Sequence, residues 1–162
     1  MSIAWLPLIS LHILAAVLWI GGMLFLSLIL APLLRQTHDP SSFRLLFSAA
    51  ARRFRSMVRL AIVILLGTGP LLLEIRGLSI MDPSTWPSVL LVKLTLVGLL
   101  LLFTLLHDLV LGPRVLRIGS QPVATRTAQD LFLLSVSRVV PRLALLIALA
   151  VLVAAAILAR SI

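Results

Sequence analysis

Val89-Leu-Leu-Val-Lys93-Leu-Thr-Leu-Val-Gly98-Leu-Leu-Leu-Leu-Phe103-Thr-Leu-Leu106-His107 decides the fold class. Up to Leu106 its side chains are apolar except for two threonines and one lysine, with a single glycine among them. No polar face recurs at helical spacing, so the segment is not the half-solvated helix of a soluble domain. It has the length and character of a helix that crosses a bilayer, which takes about 20 apolar residues. Lys93, the only lysine of the chain, sits inside this run, and His107 closes it. A second histidine, His12, lies inside another such run. An ionisable side chain costs several kcal/mol in hydrocarbon and so usually faces a protein interior and performs a task.

Four stretches reach membrane length, at about 4–34, 57–76, 87–112 and 139–160. They leave too little chain for a soluble domain, so residues 1–162 read as one transmembrane domain. The expected architecture is all-α, an integral membrane antiparallel four-helix bundle. Composition agrees: 61% of residues are hydrophobic and 12% charged, with a mean hydropathy of +1.21, against roughly half apolar and a quarter charged in soluble domains. The first run lacks a positively charged leader and is longer than a signal-peptide core, so it reads as a retained helix. No internal repeat or low-complexity linker stands out.

The net charge of +9 and pI near 12.0 do not indicate nucleic acid, because the charge is placed by topology. Arg35, Arg44, Arg52, Arg53, Arg55 and Arg59 fall between the first and second spans or at the start of the second. Arg114, Arg117, Arg126, Arg138 and Arg142 fall between the third and fourth or at the start of the fourth. The end of span two and the loop after it hold Glu74, Arg76 and Asp82. The positive-inside rule then puts both Arg-rich loops in the cytoplasm and both termini outside. The basic loops would face anionic lipids. With no cysteine in the chain, disulfides, thiolate metal sites and iron–sulfur ligation are excluded.

Asp39-Pro40-Ser41-Ser42 is a helix start. The polar stripe Arg44, Ser48, Arg52, Arg55 and Arg59 follows at helical spacing and is expected to run directly into the second span. His38, in the basic loop, is expected to be solvated. Gly112-Pro113 is expected to end the third helix, and a fourth to begin near Thr127 and to kink at Pro141. Ala144, Ala148, Ala150, Ala154, Ala155 and Ala156 would let that helix pack closely, inside the bundle or at a homodimer face.

Trp5 and Trp86 mark the outer interface. His12 and Lys93 each follow their tryptophan by seven residues, which at 1.5 Å per residue is a depth of about 10 Å. Gly69, within Gly67-Thr68-Gly69-Pro70, falls at about the same level on the returning second span, where the helix can bend and open carbonyls. His12, Ala16, Trp19 and Met23 form one stripe; Lys93, Val97, Leu100, Thr104 and His107 form another. Beside the first, Gly21-Gly22 makes room for a flat ligand or a close neighbour. His107, with Asp108, lies near the cytoplasmic interface, level with Met23.

Each residue also has a plainer role open to it. His12 can hydrogen-bond across helices, Lys93 can snorkel to headgroups, His107 with Asp108 can cap a helix end, and Trp19 and Met23 can simply pack. The sharper reading is a cofactor site. A neutral imidazole in a dry site suits heme iron or copper, and Lys93 could neutralise a heme propionate or deliver a proton. His12, His107 and Met23 are the candidate metal ligands; His12, Trp19, Gly21, Gly22, Gly69, Lys93 and His107 are the candidate cofactor-binding residues. With four methionines and no cysteine, soft ligands for copper are sparse, so heme b is preferred and copper is the alternative. His12 and His107 are about 20 Å apart along the membrane normal, too far to bind one iron. No catalytic triad, phosphate loop or carboxylate pair is present, so no catalytic residue is assigned.

His12-Ile-Leu-Ala-Ala-Val-Leu-Trp19-Ile-Gly21-Gly22 resembles the first-helix signature of the copper-resistance protein D (CopD-like) membrane family. Arg52-Arg53-Phe54-Arg55 with Thr68-Gly69 is similar to its second helix. Leu91-Val-Lys93-Leu with His107-Asp108-Leu-Val-Leu-Gly112-Pro113-Arg114 is similar to its third. The resemblance covers most of the chain and implies copper handling at the bacterial inner membrane. A fainter one is to HemJ-type protoporphyrinogen oxidases, heme-binding four-helix membrane proteins with a first-helix histidine before Trp and Gly and a third-helix lysine followed by histidine. The fourteen-residue interval from Lys93 to His107 departs from that pattern by about a turn. A non-catalytic subunit of a larger membrane complex is the reading from a different class.

Overall fold

Inside hydrocarbon every backbone N–H and C=O must find a partner within the protein, and a run of apolar residues can do this alone only as a helix. A computed structural model of the chain shows that outcome. It describes residues 3–36, 40–119 and 121–161, and among them there is no strand. His38 and Asp39 lie outside the described residues. Four helical stretches are long and apolar enough to cross a membrane: Leu6–Leu33, Leu45–Ile75, Ser88–Gly119 and Ala128–Arg160. The chain is an all-α, multi-pass membrane protein.

It divides into two compact units, the first ending at Pro87 and the second formed by Ser88–Ser161. In the first, α1 (Leu6–Leu24) passes through a π-helical turn, Phe25–Leu30, into the short α2 (Ala31–Gln36), and α3 (Pro40–Ile75) returns. α1 and α2 both pack on α3. The neighbours run in opposite senses: His12 meets Thr68, and ten residues further along α1 Gly22 meets Phe54. Ala15, Trp19 and Ile20 of α1 and Val58, Ala61 and Thr68 of α3 are buried. As the Arg stripe implies, the basic stretch and the second span are one continuous helix. α3 stops at a Schellman turn, in which Leu78 N–H donates to Leu73 C=O and Gly77 N–H to Glu74 C=O. Gly77, at φ 74°, supplies the left-handed residue that this turn requires.

The second unit repeats the plan. α4 (Ser88–Leu105) leads through a π-helical turn, Leu106–Leu111, into α5 (Gly112–Gly119), and α6 (Ala128–Ser161) packs on both. Gly112-Pro113 therefore does not end the third helix. Proline cannot donate to the carbonyl four residues back and crowds it. The π turn shifts that pattern by one residue, with Gly112 N–H donating to His107 C=O, and the helix continues. Thr127 caps α6 as expected: its hydroxyl accepts from Asp130 N–H, and the Asp130 carboxylate accepts from Thr127 N–H. α6 runs on through Pro141 and buries Val140, Ala144, Ala148, Val151, Ala154 and Leu158. Three of the six alanines read as packing residues, Ala144, Ala148 and Ala154, are thus buried.

Candidate functional site

The two stripes read from spacing are the buried sides of their helices. On α1, Trp19 is buried and His12, Ala16 and Met23 are half-buried, while Leu11, Ile13, Leu14, Val17 and Leu18 are exposed. On α4, Leu100 is buried and Lys93, Val97 and Thr104 are half-buried. His107, which continues the stripe into the π turn, is half-buried too.

His12 is held by a specific partner. Its Nδ1 lies 2.7 Å from the Thr68 hydroxyl, and that hydroxyl lies 2.7 Å from the Ile64 carbonyl oxygen one turn back in α3. A hydroxyl has one proton, and a carbonyl can only accept. Thr68 therefore donates to Ile64 and accepts from His12. The neutral imidazole carries its proton on Nδ1, and Nε2 is its basic nitrogen. Thr68 is buried at 6% exposure, the one polar side chain to reach that level among the described residues, so little water competes for the bond. Gly69 stands beside the ring: a Cβ there would lie 3.8 Å from His12 Cε1. Pro70 follows and leaves the Leu66 carbonyl without its helical donor.

The glycine pair divides. A side chain on Gly22 would collide with the Phe54 ring, whereas the space at Gly21 is open. Gly22 thus admits a close neighbour, Phe54 of α3, and Gly21 is an exposed position on α1.

In the second unit, fourteen residues separate Lys93 from His107, about 21 Å along the helix. His107 lies in the π turn, its Nδ1 3.2 Å from the Asp108 carboxylate, with the two side chains 37% and 19% exposed. π turns are rare and concentrate at functional places. Trp86 donates from Nε1 to the Ser79 carbonyl at 2.9 Å, which ties the loop before α4.

The structure thus brings His12 and Gly69 together in one unit and adds Thr68, which spacing did not single out. The available signal was a hydroxyl inside an apolar run, one residue before the glycine already marked. Lys93 and His107 belong to the other unit. Among the described residues no group of three or more His, Cys, Asp or Glu side chains could hold a metal ion.

Residues 14–122 match the family described as a domain of unknown function (DUF4149), and the chain belongs to that family. No curated protein and no solved structure matches it.

Proposed function

We propose that this DUF4149 protein is a bacterial inner-membrane protein that binds heme b, with His12 as the iron ligand. The observation that carries the reading is the Thr68 contact. A histidine that ligates a metal almost always donates its other ring N–H to a fixed partner, which sets the tautomer and raises the basicity of the ligating nitrogen. His12 has such a partner in Thr68, which holds the proton on Nδ1 and makes Nε2 the basic nitrogen. The donor set suits heme better than copper. It is a single neutral imidazole, with no thiolate in the chain and no His/Cys/Asp/Glu cluster among the described residues. Heme, where bound, supplies one-electron chemistry; the chain's part is to hold and orient it. The fainter resemblance to HemJ-type oxidases supports the same reading, and that to the CopD-like family supports the copper alternative.

The absorbance spectrum of the purified protein tests it. A Soret band with reducible α and β bands is the expected result. A colourless protein that takes up copper would turn the reading to copper import. A colourless, inert protein that copurifies with membrane partners would make it an accessory subunit.

We further propose that the cytoplasmic end of α3 lies against anionic lipid. Arg52, Arg53 and Arg59 are exposed, and no Asp or Glu occurs between Pro40 and Leu73 to neutralise them. Each such arginine contributes about 1 kcal/mol at an anionic surface. Proteoliposomes with and without phosphatidylglycerol should therefore differ in the melting temperature of the protein, and Arg52→Gln/Arg53→Gln/Arg59→Gln should remove the difference.

A further inference from the structure

Features of the first unit return in the second at a fixed displacement. The π turns Phe25–Leu30 and Leu106–Leu111 are each six residues long and start 81 residues apart. Each is closed by the same five-residue bond, from Ala31 N–H to Leu26 C=O and from Gly112 N–H to His107 C=O. A proline follows each closure, and Pro32 and Pro113 are also 81 residues apart. So are Trp5 and Trp86, and so are His12 and Lys93. The buried Trp19 and Leu100 keep the same interval.

The returning helices repeat at a displacement of 83, two residues longer, as a small length change in the connecting loop would leave it. Arg55-x-x-x-Arg59-Leu60-Ala61-x-x-Ile64 in α3 becomes Arg138-x-x-x-Arg142-Leu143-Ala144-x-x-Ile147 in α6. Ala61 and Ala144 are both buried. At this displacement Thr68 corresponds to Val151, also buried. Valine is threonine with the hydroxyl replaced by a methyl group, close in shape but unable to hydrogen-bond.

We infer that the chain is a tandem duplication of one two-helix unit, and that Lys93 and Val151 stand in the second copy where His12 and Thr68 stand in the first. The pair determines what each copy recognises. Imidazole oriented by a hydroxyl offers an electron pair to a Lewis-acidic metal. A lysine and a valine at the matching positions supply a positive charge and no hydroxyl, which suits an anion. One ancestral station thus serves two ligand chemistries. The duplication itself does not depend on the heme reading; the division of chemistry between the copies rests on it.

The test rebuilds the first copy's pair in the second. In full-length protein labelled with ¹⁵N-histidine, the resonance lost in His12→Gln should show the Nδ1–H tautomer. Lys93→His/Val151→Thr should add a second imidazole with that pattern. Lys93→His alone, with valine kept at position 151, should not. If the single and double variants give the same new resonance, Val151 is not the counterpart of Thr68 and the inference fails. A second measurement covers a double variant that misfolds, and uses the absence of native cysteine. His12→Cys/Thr68→Cys and Lys93→Cys/Val151→Cys should both form a disulfide on mild oxidation in the membrane. Leu94→Cys/Val151→Cys, about 100° around the helix, should not. Equal cross-linking from positions 93 and 94 would overturn the inference. Neither readout uses a cofactor, so these results stand apart from the absorbance test.

Discussion

The Thr68 hydroxyl accepts a hydrogen bond from His12 Nδ1–H and donates one to the Ile64 carbonyl, with both contacts at 2.7 Å. This pairing fixes which face of the imidazole acts as a base and ties α1 to α3 at one level. Thr68→Val keeps the shape and removes the acceptor, leaving the half-buried His12 Nδ1–H without it. The expected loss of stability is about 1 kcal/mol, in line with interhelical hydrogen bonds in membranes. Losing the outer partner of a metal-ligating histidine costs about 10–100-fold in affinity. A ferric heme titration should therefore show a drop of that size in Thr68→Val, and Thr68→Ser should restore most of it. Wild-type affinity in Thr68→Val would separate the hydrogen bond from ligand binding.

His12→Ala should abolish heme binding while the protein still inserts and stays monodisperse in detergent. Insertion follows summed hydropathy, which alanine does not harm. Pull-down yield and the Soret absorbance, measured on the same preparation, check the two halves of this expectation. Unchanged bound heme in the variant would make His12 a packing residue.

Gly22 and Gly21 should respond oppositely to alanine. A Cβ on Gly22 meets the Phe54 ring, and Gly21 has open space. Overpacking of this kind costs about 1–3 kcal/mol. Thermal denaturation should show Gly22→Ala destabilised by that order and Gly21→Ala close to wild type. In a Phe54→Leu background the Gly22 penalty should shrink, since residues in contact are not additive.

The helices were legible because hydropathy and length suffice to mark a span, and the face of each was legible because His12–Trp19–Met23 and Lys93–Leu100–Thr104 keep helical spacing. The end of the third helix was not. Gly112-Pro113 has the chemistry of a stop, and only the π turn before it, a backbone rearrangement with no side-chain signature, lets the helix pass. Within the site, His12 and Gly69 were readable from equal depth on antiparallel spans. Thr68 was hidden because threonine is common in apolar helices, and its role comes from the particular hydroxyl geometry. The use of Gly22 was readable only as spare room; that Phe54 takes it depends on the register of α1 against α3. The duplication was hidden because many aligned positions are interchangeable aliphatics and others have diverged, as at Gly22 and Phe103, and two rare backbone turns exposed it.

The Arg asymmetry predicts topology. A reporter fused after Ile162 should be active outside, and one inserted within 113–125 should be active inside. Alkaline phosphatase and green fluorescent protein fusions read the two sides independently. The reverse pattern would place His12 near the cytoplasm instead and remove the argument that its level is the outer third of the membrane.

Lys93→Met distinguishes a working lysine from a snorkelling one. The variant keeps an unbranched side chain of similar length and removes the charge. A lysine that only reaches for headgroups contributes packing through its stem and costs free energy through its head, so the variant should melt at the same temperature or higher. A lysine paired with a propionate behaves differently. Its loss strands a buried carboxylate, and breaking one side of a buried pair costs about 3–5 kcal/mol. At about 1.4 kcal/mol per factor of ten, that is a fall in heme affinity of about two to three and a half orders of magnitude. The apoprotein should stay folded and His12 should remain the iron ligand, so the residual complex should keep the wild-type Soret position. Lys93→Arg, which keeps the charge, should recover part of the affinity. A Lys93→Met protein with wild-type affinity and melting temperature would leave the chain's one lysine without a part in the site.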